Sequence, residues 1–539
     1  MGISKMMSGV DVLMGDNTIP GIRVPKEIRE HIPRIMAECR DFGLDFFPTI
    51  VESLTYDEIS EVAAYGGFPV RYPHWRFGME YEELSKGYEY GQHRILEMVV
   101  NTNPCYIYCL DSNTQVDNIT VIAHALGHND FFKNNVYFSA TNKNGMNKLA
   151  NHGTRIRKYI ATWGKEEVTA FIDNVMRIET LVNPFKAWDH KEYVDPVITD
   201  KREFFFPRRR ELEPDRNYME PWLNTKEDRD KEWKRIKNDE VKKRLDVFPK
   251  PDRDIFGYIK DHGKFEPWQQ DIISMLYEET MQFVPQRMTK MLNEGWASYV
   301  DHEIMSRRGL VNLGQPTEDC GIIEYASRKT GVLGGKYSMN PYKLGFCLFR
   351  DIEERWDKGM FGSEWEDCKD AKERENWDKK LGLGKQKIFE VRKCYNDATA
   401  LMEFFTQEFC DKYEFFEWKK FPNGEYKIVS RDADEIRRKL VKKYQNGGLP
   451  DIRLTDPNLL GRGFLCLQHY WSGDALHDSF ARETLTSLWR LWGNVIVLGT
   501  KDKDGNEMVY VCEDKDPSLV LYMTRSDYEK QARKEIHKH

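Results

Sequence analysis

The sequence predicts a mainly α protein: a large helical body carrying a pair of helices with candidate metal ligands, followed by a small C-terminal α/β domain. Three observations lead there. Apolar residues recur at helical spacing through most of the chain before residue 430. Near the C-terminus, NVIVLGT and EMVYVCE alternate around Asp502-Lys503-Asp504-Gly505-Asn506, the pattern of a β-hairpin. Finally, the 539 residues are 40% hydrophobic and 13% aromatic, ample for a large core.

From about 26 to 64 the pattern is helical. Pro25 opens it, and Ile28, Ile32 and Ile35 follow on one face. Gly66 to Gly78, GGFPVRYPHWRFG, is an ordered aromatic loop. Helix returns over 80–101, with Leu84, Ile95, Met98 and Val99 as its buried stripe. Residues 115–135 form a largely buried helix, and 145–163 and 165–182 are two more. Charge density rises over 200–250, the best candidate for an exposed insertion. Residues 267–308 are helical with an interruption near Pro285, and 340–360 and 383–415 are helical again. A helix over 432–445 leads to two strand-like runs, DIRLTDP and GFLCLQHYW, and then to a helix over 478–491. The expected division is a body over 1–430, an α/β domain over 431–525 and a charged tail over 526–539.

Composition excludes several function classes. Charged residues make up 31% and the net charge is −7, which gives no reason to expect nucleic-acid binding. Arg208, Arg209 and Arg210 are followed at once by Glu211, Glu213 and Asp215, so they read as a solvated surface rather than a phosphate site. No run approaches the ~18 apolar residues of a membrane helix, and the N-terminus lacks a signal-peptide core. Gly2 does not suffice for myristoylation, because Met6 stands where Ser or Thr is needed. The ten cysteines are dispersed, and Cys105 and Cys109 lie in an apolar run. They read as buried thiols of a cytoplasmic protein, with a cysteine zinc site as the minor alternative.

The chemistry concentrates in His124-Ala-Leu-Gly-His128. Residues four apart stack on one helix face, so two imidazoles can converge on one divalent metal ion, zinc first and iron second. The alternative is a hydrogen-bonded core pair. Asp130 faces away from His128 by helix geometry. Glu294, in Asn293-Glu294-Gly295-Trp296, is a carboxylate on an apolar turn that wants a cation or a metal. The helical pair with a distant glutamate is similar to the layout of gluzincin peptidases. Those enzymes place a glutamate directly after the first histidine, as general base; here Ala125 occupies that position. A base must come from another segment, with Glu97, Asp130 and Glu278 as candidates. His152, which begins HGTRIR with Arg155 and Arg157, reads equally as a ligand, an anion-binding group or a surface residue.

Five segments carry a resemblance to a known family: GFPVRYPHWRFG (67–78), HALGHNDFFKNN (124–135), NHGTRIRKY (151–159), PQRMTKMLNEGWASY (285–299) and NPYKLGFCLFRDIEERW (340–356). With NLLGRGFLCLQHYW (458–471) they resemble the SpoVR (stage V sporulation protein R) family over roughly 30–500. The resemblance implies a cytoplasmic protein of sporulation, spore-cortex or stress physiology. Its implied partners are a PrkA-type serine kinase and an operon-encoded von Willebrand-like protein, and the lack of a long apolar run separately argues against membrane insertion. It also implies a shared polar set of His74, His124, His128, His152 and Glu294. Family members commonly have a histidine where this chain has Asp301, followed here by His302. Three readings stand: a metal-dependent, hydrolase-like enzyme; a non-catalytic regulator or scaffold; and a protein with a purely structural metal.

Overall fold

A computed structural model describes residues 12–13, 24–89, 97–188, 253–313, 318–335, 337, 339–459, 462–528 and 530. The expected insertion over 200–250, the arginine run within it and most of the charged tail lie outside these residues. In chain order the elements of the first half are β1 (Val12–Leu13), α1 (Lys26–Arg29), α2 (Ile32–Phe42), β2 (Thr49–Leu54), α3 (Tyr56–Ala64), α4 (Trp75–Glu89), β3 (Glu97–Val100), β4 (Cys105–Leu110), α5 (Gln115–Asn134), α6 (Gly145–Trp163) and α7 (Lys165–Arg177). Then follow α8 (Ile255–His262), α9 (Pro267–Met288), α10 (Lys290–His302), α11 (Glu318–Leu333), α12 (Pro341–Lys358), α13 (Ser363–Asp367), α14 (Ala371–Glu375), α15 (Gly384–Cys394), α16 (Asp397–Phe404) and α17 (Gln407–Tyr413). The remainder comprises β5 (Glu417–Lys420), β6 (Tyr426–Ser430), α18 (Ala433–Tyr444), β7 (Ile452–Leu459), β8 (Phe464–His469), α19 (Asp478–Trp492), β9 (Ile496–Lys501), β10 (Glu507–Cys512) and β11 (Leu521–Thr524). The protein is mainly α with a small α/β part. Among the described residues, no helix is long and apolar enough to cross a membrane.

The chain divides into two compact units, Met1–Lys158 with Gln282–Gly448, and Tyr159–Met281 with Leu449–His539. In the first, α5 is the central rod. Thr114 caps it and Asp117 completes a capping box. It is buried nearly all round, and its inward polar residues Asp117, Asn118, His128, Asn129 and Asp130 are enclosed with the apolar ones. Helix α10 crosses it where Gly127 meets Ala297, and α12 crosses α10 where Gly295 meets Gly345. These small residues let the backbones approach, and Trp296, fully buried, fills the space beside them against Phe349 and Phe389. Helices α9 and α10 break at Thr289, whose hydroxyl donates to the Pro285 carbonyl at 2.6 Å, in keeping with the interruption that Pro285 predicts.

This unit also holds a sheet that helical periodicity did not reveal, in the order β1-β2-β4-β3. Residues 49–54 and 97–100 are strands, not parts of the helices expected over 26–64 and 80–101. Strands β2 and β4 run parallel, and β3 pairs antiparallel with β4, placing Glu97 opposite Cys109. Burial on both faces explains the continuous apolar run CYIYCL in β4. Asn129 ties the sheet to α5: its amide donates to the Phe47 carbonyl and Thr49 hydroxyl, and its oxygen accepts from the Phe47 N–H.

In the second unit the sheet order is β11-β10-β9-β8-β7. Strands β8 and β9 are parallel and joined through α19; the other pairs are antiparallel. The β9–β10 hairpin turns at Asp502–Asn506, where Asp502 accepts from the Asp504 and Asn506 N–H groups and Gly505 takes φ 85°.

Candidate metal centre

His124 and His128 project from the same face of α5 with ring centroids 4.7 Å apart. Each ring is held through Nδ1. His124 Nδ1 lies 2.9 Å from Asp301 Oδ2, and His128 Nδ1 lies 3.0 Å from Asn293 Oδ1. A carboxylate and an amide oxygen only accept, so each Nδ1 carries a proton and Nε2 is the ring atom left to serve as a metal ligand once it has shed its own proton. Asp301 is itself fixed, its Oδ1 accepting from the Tyr325 hydroxyl at 2.7 Å and Lys329 Nζ at 2.6 Å.

The two Nε2 atoms face carboxylates from different segments. Glu294 Oε2 of α10 lies 3.4 Å from His128 Nε2 and 3.8 Å from His124 Nε2. Glu97 Oε1 of β3 lies 3.4 Å from His124 Nε2. The ligand atoms of Glu97, His124 and His128 all fall within 4.8 Å of one another. Two imidazoles and two carboxylates are a donor set suited to zinc or iron.

Charge in the cluster is uneven. Burial opposes ionisation of Glu294, but His128 and His124 override it and hold its carboxyl well below the usual range. Burial dominates at Glu97 and raises its carboxyl despite the same two rings. At His124 burial works against the cation, yet Glu97, Asp301 and Glu294 together push the ring up to about 10. The Tyr342 hydroxyl donates to Glu294, and burial together with Glu294 and Glu97 keeps it protonated. A cavity of about 570 Å³ opens beside the cluster, lined by Glu97, His128, Glu294 and Tyr342, with Arg287 and Lys290 on its wall.

The other residues singled out from sequence stand elsewhere. Asp130 is on the opposite face of α5, where it accepts from Trp296 Nε1 and the Asp45 N–H and pairs with Arg392 at 3.4 Å. His152 is buried on α6, in the turn where Gly153 abuts the Arg71 backbone, and Arg155 is exposed on the same helix. His74 precedes α4 among the rings of Tyr72, Trp75 and Phe77. Among the described residues, none of these joins the ligand atoms that surround the imidazole pair. Sequence reasoning weighed Glu97 only as a distant base and passed over Asn293. Both had a signal: Glu97 is the lone charge in Ile95–Val100, and Asn293 is the polar neighbour of Glu294 on an apolar helix.

Comparison with known proteins takes in the five segments between 67 and 356, while the segment 458–471 lies beyond the family match. A family model described as "SpoVR like protein" matches residues 23–449. A protein of Escherichia coli (strain K12), described as "Uncharacterized protein YcgB", is 26% identical over 500 residues, covering 86% of this chain and 90% of the relative. No solved structure matches. Strands β7 to β11 lie beyond the family match.

Proposed function

The chain belongs to the SpoVR-like family, and within that family we propose that it is a metal-dependent enzyme of hydrolytic type, with His124, His128 and Glu294 as ligands of one divalent ion, zinc before iron. The observation that carries this reading is the pair of Nε2 atoms within 3.8 Å of one carboxylate beside a cavity, each ring locked from behind by an acceptor. Those residues would hold a divalent ion, which would supply Lewis acidity and lower the pKa of a water there. The chain's own residues supply the rest. Asp301 and Asn293 orient the rings, and Tyr342 donates to Glu294. Glu97, arriving from β3 instead of from the residue after His124, would be the carboxylate placed to hold or accept a proton beside the imidazole pair. The gluzincin-like layout of the helix pair supports the same reading, with the base moved to a strand. The family resemblance supports a place in developmental or stress physiology, in the cytoplasm, alongside a serine kinase.

A second reading has its own observation. Glu97 lies as near His124 as Glu294 lies to His128, so four protein ligands would close the site and make the metal structural. One experiment addresses both. Chain purified without added metal is analysed for bound ions, alone and as His128→Ala and Glu97→Gln, with a circular-dichroism melt to verify folding. About one ion per wild-type chain, lost in His128→Ala and kept in Glu97→Gln, is the expected result. No ion on folded wild-type protein sinks the metal reading, and loss of the ion in Glu97→Gln transfers the case to the closed structural site.

A further inference from the structure

The second unit holds a cavity of about 530 Å³ that the metal-centre reading does not use. Ile452 of β7, Leu467 of β8 and Leu498 of β9 line it from the sheet. Leu485 and Leu488 line it from α19, and Leu181 from the segment after α7. The five leucines are buried. Strands β8 and β9 run parallel, and α19 connects them. Residues 475–477, which lead from the carboxyl end of β8 into α19, complete the lining. The carboxyl ends of parallel strands are where α/β folds bind their ligands, because the crossover leaves a crevice there. The exposed lining residues gather at this same end: His477, and Phe480 at 68% exposure, with their rings 4.8 Å apart.

Charge narrows the choice of occupant. The cavity is lined by one cation and one anion, Arg177 and Glu483, which pair with each other at 3.7 Å. A charged ligand would have to part them or stay unmatched against the leucines, at a cost that an uncharged ligand does not meet. The Thr180 and Thr484 hydroxyls in the lining can serve a neutral polar group. An apolar cavity of roughly 150 Å³ takes one benzene ring, so this one has room for a larger body. We propose that it binds a small uncharged molecule with an apolar body of two or three rings, which enters past Phe480 and rests on the leucines. Binding here does not depend on the metal centre.

The test is fluorescence titration of the full chain with N-phenylnaphthylamine, an uncharged probe that brightens in apolar surroundings. Anilinonaphthalene sulfonate, the same body carrying a charge, is the comparison. The amine is expected to saturate at about one per chain and to bind at least about tenfold more tightly than the sulfonate. Ala481→Trp, at a half-buried position in the first turn of α19, fills the cavity and weakens the amine at least about tenfold. Ala475→Trp, in the loop before α19, serves if a circular-dichroism melt shows the first variant unfolded. A chelator leaves amine binding unchanged, so loss of the metal reading and loss of this one are separate results. No saturable binding, a sulfonate bound as tightly as the amine, or binding undiminished in the folded tryptophan variant overturns the proposal. A dimer in sedimentation that the tryptophan variant dissolves, with no amine bound by the wild type, overturns it in favour of a second copy of the chain as occupant.

Discussion

Gly295 and Gly345 touch backbone to backbone. A methyl group built on Gly295 would lie 2.4 Å from the carbonyl carbon of Gly345, and one built on Gly345 would lie 2.2 Å from the Met291 carbonyl oxygen. This contact seats α10 on α12 and so fixes the height of Glu294 beside the imidazoles. Because backbone cannot swing aside as a side chain does, Gly295→Ala should cost about 3 kcal/mol or more. It should also lower metal content by displacing Glu294. Gly331 on α11 has open space where a methyl group would go. Gly331→Ala should therefore gain about 0.5–1 kcal/mol from helix propensity alone. Urea unfolding of the two variants, with metal analysis, checks both signs.

Asp301 holds the back of His124, and Lys329 in turn holds Asp301. Asp301→Asn can still meet the ring, but it no longer fixes the imidazole through an anion. Metal affinity should fall about 10–100-fold, the usual effect of losing a carboxylate behind a ligating histidine. Competition for zinc against a chromophoric chelator measures this. An unchanged affinity would remove Asp301 from the site.

Asp130 lies two residues from His128 in sequence and on the far side of the helix in space. Its carboxylate is fully buried with Arg392 and Trp296 Nε1. Arg392→Met would leave that charge without its cation and should destabilise the unit by about 3–5 kcal/mol. Metal stoichiometry in the folded fraction should stay the same. Chemical unfolding and metal analysis on one preparation separate these two effects.

What could be read from the sequence follows the range of the forces involved. The meeting of His124 and His128 is local helix geometry, so their spacing alone implies it. Glu294 and Asp301 are charges in an apolar helix, and the desolvation cost of such a charge signals a partner before any partner is known. Asp301 shows the limit: it looked like a departure from the family pattern, whereas the folded chain uses it to orient His124. Glu97 was placed on a helix because a short apolar run such as Ile95–Val100 fits either period. Only pairing with β4, a contact between distant residues, makes it a strand. The parallel pair β2 and β4 was hidden for the same reason, since burial on both faces erases alternation. The glycine contacts between α5, α10 and α12 are long-range as well, and a glycine in a helix does not announce which neighbour it admits.

The last prediction concerns pH. His302 ends α10 with its ring 5.6 Å from Phe346. Burial disfavours its cation first, and Lys329, Arg350 and Arg307 add to that against the weaker pull of Asp301, so its pKa falls to about 4 from an ordinary 6.5. Between those values the unfolded chain binds a proton that the folded chain refuses. Stability therefore falls as pH drops through this window; the penalty is absent well above 6.5 and complete below 4. Removing the ring in His302→Gln removes that slope. Allowing for the solvent that reaches this half-buried group, wild type should lose about 1 kcal/mol more than the variant between pH 7.5 and pH 5. Urea denaturation at the two pH values measures the difference. Parallel pH dependence in the two proteins would mean that the ring is not shielded and that the surrounding cations do not act on it.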